Sequence, residues 1–230
     1  MEFSLLGAAA VGLGSLYAVL WWEAGRGNAA DCTRRLWDLL LSAAIVGLVA
    51  GRVSAMLAGG TNPLTNPGDL LIVRGGVATG PAATAALLTA GLLARQDLWP
   101  TLDAAAPAAL AGLAGWHAGC LTRSACAGTP TDAPWGITTA GGDIARHPVE
   151  LYAAVLLAVA VIALIWWKRR HPPAGLVAGA ALLGASVVRL ATEPLRVGLG
   201  GGPEAWYAAG FVAAFGIIAV GAIRSRSGQP

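Results

Sequence analysis

The stretch Gly175-Leu-Val-Ala-Gly-Ala-Ala-Leu-Leu-Gly-Ala-Ser-Val-Val-Arg189-Leu-Ala-Thr-Glu193-Pro-Leu-Arg196 decides the fold class of this chain. Everything before Arg189 is uncharged and compatible with lipid. Arg189, Glu193 and Arg196 then fall at i, i+4 and i+7, which is one face of a helix. In a soluble protein that spacing is a solvated stripe. At the end of an apolar run it places charges at or inside a membrane boundary. Near the bilayer centre each one costs about 2.5–3.5 kcal/mol, so such residues pair with one another or face a ligand. Two arginines around one glutamate leave a net positive site that suits an anionic lipid head group. A juxtamembrane ion pair that only fixes helix depth is the alternative, and this segment alone does not choose between them.

The rest of the chain agrees with the membrane reading. Hydrophobic residues make up 56% of its 230 residues and charged residues only 12%, with a mean hydropathy of +0.65. Soluble domains carry about 25% charged residues. The expectation is an all-α, polytopic membrane protein forming a single integral membrane domain over residues 1–230. A crossing helix needs about 20 apolar residues, and about seven candidates emerge: Phe3–Trp22, Leu36–Leu57, Gly76–Ala94, Ala104–Leu121, Leu151–Trp167, Gly175–Leu190 and Ala205–Ile223. The fourth is the weakest, being alanine-rich and interrupted by Pro107. The first is too long, and lacks the basic leading region and cleavage site, for a conventional signal peptide.

Basic residues orient these spans. Arg26, Arg34, Arg35, Arg95, Lys168, Arg169 and Arg170 fall in the odd-numbered connections, and Arg224 and Arg226 in the tail. The opposite loops hold Arg123 and Arg146, with Arg74 and Arg196 at helix ends. The C-terminus is therefore expected in the cytoplasm and the N-terminus outside, which puts the loops 58–73, 122–150 and 191–204 on the outer face. The same rule accounts for the net charge of +3, so nucleic acid is not an expected partner. The three histidines are scattered without ligand spacing, so no metal and no cofactor is expected. No inverted repeat or pair of broken helices suggests a transporter. Cys32 reads as a free thiol in a cytoplasmic loop. Cys120 and Cys126 flank the outer end of the fourth span, where an oxidising compartment would allow a bridge.

The polar residues inside this apolar frame converge. Arg52 lies within the second span, Arg74 at the entry to the third and His117 late in the fourth. Arg146-His147-Pro148 leads into Glu150-Leu151-Tyr152 at the start of the fifth, and Arg189, Glu193 and Arg196 close the sixth. Under the assigned topology nearly all fall in the outer half of the membrane or at its interface. Snorkelling explains Arg196 singly but not Arg52 or Arg189.

These residues resemble the prolipoprotein diacylglyceryl transferase family of bacterial membrane enzymes, in order, from the second span to the sixth. The most specific piece is Arg146-His147-Pro148-Val149-Glu150-Leu151-Tyr152, similar to the family's Arg-His-Pro-Ser-Gln-Leu-Tyr. Arg189-x-x-x-Glu193-x-x-Arg196 matches the family's Arg-x-x-x-Glu-x-x-Arg. Gly51-Arg52, Asp103 with Pro107, and the loop Pro130-Thr131-Asp132-Ala133-Pro134-Trp135-Gly136 are similar to further family segments. Two motifs depart. The signature Gly-Arg-x-Gly-Asn-Phe-x-Asn-x-Glu-x-x-Gly reads here from Trp116 to Gly128 with only Gly119 and Gly128 kept. His117 stands for its arginine, Cys120 for an asparagine and Ala125 for its glutamate. The family's Ser-Phe-His-Gly-Gly is Ala78-Thr79-Gly80-Pro81-Ala82, without the histidine.

The resemblance implies transfer of a diacylglyceryl group from phosphatidylglycerol to the cysteine of a prolipoprotein signal peptide, by a multi-pass protein of the bacterial cytoplasmic membrane. Membrane lipids are then partners as well as surroundings. Cations must bind the phosphodiester, and a base or positive field must favour the thiolate. On this reading His117, Arg189 and Glu193 carry the chemistry, while Arg52, Arg146, His147, Tyr152 and Arg196 hold the substrate. His117 would serve as a base or, protonated, as a cation. The alternative is a non-catalytic or retargeted member that binds phospholipid or lipoprotein.

Overall fold

The computed structural model describes residues 4–26, 33–70, 76–120, 127–138, 143–197 and 202–226. Seven α-helices account for most of them: α1 Ser4–Ala24, α2 Thr33–Ala58, α3 Thr79–Leu93, α4 Leu98–Gly119, α5 Val149–Lys168, α6 Leu176–Thr192 and α7 Glu204–Arg226. Short 3-10 turns occupy Pro67–Leu70 and Glu193–Leu195. Four helical stretches are long and apolar enough to cross a membrane, in α2, α5, α6 with its following turn, and α7; α3 is shorter. The chain is a helical membrane protein. Large side chains such as Leu88, Leu92, Ile162 and Val212 point outward from it, which lipid accepts and water would not.

The helical frame carries one short extended element. The connection from α4 to α5 contains a two-stranded antiparallel ladder, β1 Ile137–Thr138 with β2 Ala145–Arg146. Gly128 and Pro130 form further isolated bridges, to Arg196 and Arg146. A compact loop must satisfy its own backbone donors and acceptors, and pairing extended segments does so at short range. Two-residue strands are too short to leave an alternating pattern in the sequence.

The fourth segment, weakest by sequence, is the centre of the bundle. Helix α4 packs on α1, α5 and α6, continues through Pro107, and buries Pro107 itself. It also begins at Leu98, earlier than its apolar run, because Thr101 and Asp103 are helical despite being polar. Alanine and glycine permit the close approach. A Cβ at Gly115 would lie 2.7 Å from the Val11 carbonyl, and one at Gly119 2.5 Å from Ala8 Cα. One core joins Leu110, Leu157, Val161 and Val177 across α4, α5 and α6; a second joins Leu16, Leu20, Leu36 and Leu39 with α4.

Asp103 starts α6. Its two carboxylate oxygens accept the N–H groups of Gly175 at 2.6 Å and Ala178 at 2.7 Å, the orphan donors of a helix N-terminus. Gly175 adopts φ of 93° to make this turn, a conformation that favours glycine. Beside it, Lys168 donates to Glu23 at 2.6 Å and to the Ala104 carbonyl at 3.3 Å.

A buried charge cluster at one end of the bundle

Helices α4, α5 and α6 bring charged residues together at the end opposite Asp103 and Lys168. His117 comes from the last turn of α4, Glu150 from the first turn of α5, and Arg189 and Glu193 from the end of α6 and the turn after it. All four are buried, at 7%, 3%, 5% and 7% exposure. Arg189 Nη2 donates to Glu193 Oε2 at 2.6 Å. His117 Nδ1 meets Glu150 Oε2 in a close hydrogen-bonded contact. Arg196 closes the group, with Nε 3.4 Å from Glu150 Oε1 and Nη1 3.4 Å from Glu193 Oε1.

The sequence spacing is honoured only in part. Helix α6 stops at Thr192, and Pro194 lies in the 3-10 turn that follows. Proline supplies no N–H and clashes with the preceding turn of an α-helix. The tighter turn swings Arg196 off the α6 face, so that it bridges two carboxylates rather than stacking under Arg189. Glu193 thus sits between two arginines, holding both.

Two members of the cluster were not among the site residues expected from sequence. Glu150 stands where the resembled motif has glutamine, and His117 stands where another motif has arginine. The two replacements meet. Each alone would strand a buried charge or lose a hydrogen bond; together they remain a paired contact. The exchange of an arginine for a histidine alongside that of a glutamine for a glutamate was the available signal. Tyr207, in the first turn of α7, is the second addition: its hydroxyl accepts from Arg189 Nε at 3.3 Å and Nη2 at 3.2 Å. A lone tyrosine after a glycine-rich loop gave no sequence signal.

The remaining expected residues lie elsewhere. Arg146 Nη1 donates to the Gly128 carbonyl at 3.2 Å. His147 Nδ1 lies 3.3 Å from the Tyr152 hydroxyl, which also accepts Trp135 Nε1 at 2.7 Å. Arg146, His147 and Tyr152 thus make an outer layer that ties the α4–α5 connection together. That connection is knitted to the cluster through backbone, by Gly128 N–H to the His147 carbonyl and Thr129 N–H to the Leu195 carbonyl, both at 2.8 Å. A Cβ at Gly128 would lie 2.3 Å from Val149 and 2.5 Å from the Leu195 carbonyl. Only glycine fits there.

Arg52 is buried in α2, with Nε and Nη2 on the Asp69 carbonyl at 3.0 and 2.7 Å and Nη1 on the Gly76 carbonyl at 3.1 Å. It holds the α2–α3 connection at its middle and near its α3 end. Trp206 of α7 packs on α3, where its ring would come within 2.1 Å of a Cβ at Gly80. The indole fills the position where the resembled motif carries histidine. Cys120 is disulfide-bonded; Cys126, Arg74, Arg123 and Cys32 lie outside the described residues.

Only two buried side-chain polar atoms have no hydrogen-bond partner among the described residues: His117 Nε2 and Arg189 Nη1. Both belong to this cluster. Buried polar groups in folded proteins are almost always satisfied, so one unpaired acceptor-or-donor and one unpaired cationic donor mark where a ligand would engage.

Comparison with known proteins bears on what that ligand is. The model of the prolipoprotein diacylglyceryl transferase family matches residues 2–225. The phosphatidylglycerol–prolipoprotein diacylglyceryl transferase of Methylococcus capsulatus is 34% identical over 167 residues, 70% of this chain and 64% of the relative. Those of Cupriavidus pinatubonensis and Geobacter sulfurreducens are 34% identical over 181 residues and 33% over 174, covering 75% and 73% of this chain and 64% and 67% of theirs. The chain spans about 64% of the length of the first two relatives.

Proposed function

The chain belongs to the prolipoprotein diacylglyceryl transferase family, and on that premise we propose that it transfers the diacylglyceryl group of phosphatidylglycerol to a cysteine thiol of a prolipoprotein. The reaction takes place at the outer face of a bacterial cytoplasmic membrane. The observation that carries this reading is Arg189. Its guanidinium is held on two sides by Glu193 and Tyr207, while Nη1 is buried with no partner among the described residues. A fixed cation with one free donor in a water-poor site suits a phosphodiester oxygen, and stabilises the charge that grows there as glycerol phosphate leaves. Arg196, the more exposed arginine, supplies a second cation at the rim. Glu193 holds the two arginines at a set separation. Arg146, His147 and Tyr152 shape the entrance, and Arg52 stiffens the far wall.

The topology that serves this chemistry has seven spans, with the N-terminus outside and the C-terminus in the cytoplasm. Its support is the charge asymmetry of the loops, together with seven helices that pack as one bundle. The cluster then lies in the outer half of the bilayer, where the prolipoprotein cysteine emerges beside its signal peptide.

One observation favours a second reading, a member that binds phospholipid without transferring it. Trp206 leaves no room at Gly80 for the family's histidine. Expression in bacteria depleted of their own transferase separates the two. Diacylglyceryl modification of a reporter lipoprotein that vanishes in Arg189→Ala is the expected result. A folded, inserted protein that binds phosphatidylglycerol vesicles and modifies nothing would sink the transferase reading and leave the binding one.

A further inference from the structure

We infer that Glu150 is a positioning residue that fixes His117 as the general base of the transfer, with Nε2 as the atom that takes the thiol proton. The inference rests on the transferase reading above. It starts from which atoms are engaged. Glu150 uses one carboxylate oxygen on His117 Nδ1 and sets the other 3.4 Å from Arg196 Nε. A carboxylate beside a guanidinium keeps its charge and acts only as an acceptor. Nδ1 must then carry the hydrogen, and Nε2 is left with the lone pair of the neutral ring. That nitrogen is buried and meets no donor among the described residues. A histidine kept only for packing would satisfy both nitrogens. The arrangement of carboxylate, Nδ1–H and free Nε2 is the one by which a carboxylate holds an imidazole in the base tautomer and steadies the imidazolium that forms.

The second unpartnered atom, Arg189 Nη1, gives the base a direction. Helix α4 carries Nε2, helix α6 carries Nη1, and the two helices pack on each other. A thiol deprotonated at the first atom is generated beside the cation that binds the phosphodiester. The sulfur pair forms the carbon–sulfur bond to the glyceryl carbon, and the carbon–oxygen bond to phosphorus breaks with its electrons on oxygen. The imidazolium returns its proton to the departing phosphate. A neutral thiol and a phosphodiester monoanion thus become a thioether and glycerol phosphate monoanion, with no oxidant or reductant needed.

The test uses the full-length protein in phosphatidylglycerol vesicles with a cysteine-bearing signal-peptide substrate. Glu150→Gln keeps shape and loses charge. It should lower kcat about 10²-fold, within the range of general-base contributions, with the phosphatidylglycerol KM little changed. Glu150→Asp should recover part of the loss. His117→Arg keeps a hydrogen-bond donor opposite Glu150 and removes the base, and should abolish transfer while vesicle binding persists. The decisive readout is an acceptor peptide with selenocysteine in place of cysteine. Its selenol is ionised at neutral pH, so it should restore most of the rate to Glu150→Gln and His117→Arg. A Glu150→Gln protein as fast as wild type, a His117→Arg protein that still transfers, or a defect that the selenol leaves in place would overturn the inference while leaving the transferase reading standing. A wild-type protein that is inactive with both acceptors would overturn both.

Discussion

The same three helices carry a buried ionic group at each end, and the two groups differ in one respect. At one end, Lys168 of α5 meets Glu23 and the Ala104 carbonyl, and Asp103 of α4 takes the first N–H groups of α6. Every buried side-chain polar atom described there has a partner. At the other end, α4, α5 and α6 contribute His117, Glu150 and Arg189, and two atoms there have no partner among the described residues. Ion pairing does not distinguish the ends. What does is completeness among the described residues: a closed network holds helices, and one with an unpaired donor and an unpaired ring nitrogen is, in our proposal, built to meet a ligand.

The comparison can be broken by substitution, and the largest effect should fall on the closed end. Glu23→Ala strands Lys168 against apolar helices. Removing one partner of a buried pair costs about 3–5 kcal/mol, so a large drop in thermal stability in detergent is expected, with normal transfer by the molecules that stay folded. Glu23→Leu combined with Lys168→Met should recover most of that stability, because both charges leave together. If the double variant were as unstable as the single one, the closed end would not be a simple staple.

Arg189→Ala is the counterpart at the open end. Loss of a preorganised donor to a developing charge costs about 10²–10³-fold in rate. Transfer measured by lipid labelling of the reporter should fall by that factor or more, while thermal stability changes less than in Glu23→Ala. A stability loss as great as that of Glu23→Ala would make the two ends alike.

Two smaller effects sharpen the contrast. Gly80→Ala drives a methyl into the Trp206 ring, and overpacking of this kind costs about 1–3 kcal/mol. Trp206→Ala should relieve it, and thermal denaturation of the pair of variants checks whether that contact sets the α3–α7 spacing. Asp103→Asn keeps a capping side chain and loses its charge and one acceptor, so a cost of about 1 kcal/mol is expected from the weakened cap. Transfer rates should be untouched, since this residue acts at the far end of the bundle.

Much of this was legible before any coordinates. The charge at Arg189, Glu193 and Arg196 stood out because nothing around it was charged, and periodicity put it at a helix end. The seven apolar segments each became a helix, with ends shifted by a few residues. Pro194 announced a break, and the 3-10 turn follows it. Other features had no local signature. Pro107 looked like a weakness and is buried at the centre, because neighbouring helices of alanine and glycine pack around it. Gly119 and Gly128 looked like remnants of a broken motif. One lets α4 approach Ala8, and the other lets a loop pass between Val149 and the Leu195 carbonyl. Arg146, His147 and Tyr152 were expected to hold substrate, and the structure adds that they tie down the loop beside the cluster.

The sequence by itself determined that this chain is a helical membrane protein, which residues are charged within it, and which family it resembles. Those properties are additive along the chain: hydrophobicity per residue, spacing along a helix, and order of motifs. Only the tertiary structure decided which charges complete one another. His117 and Glu150 are 33 residues apart, and whether two replaced residues compensate or fail depends on whether their helices bring them within hydrogen-bond reach. The same holds for the open atoms of His117 and Arg189. An unsatisfied group is defined by everything packed around it, and no stretch of sequence contains that information.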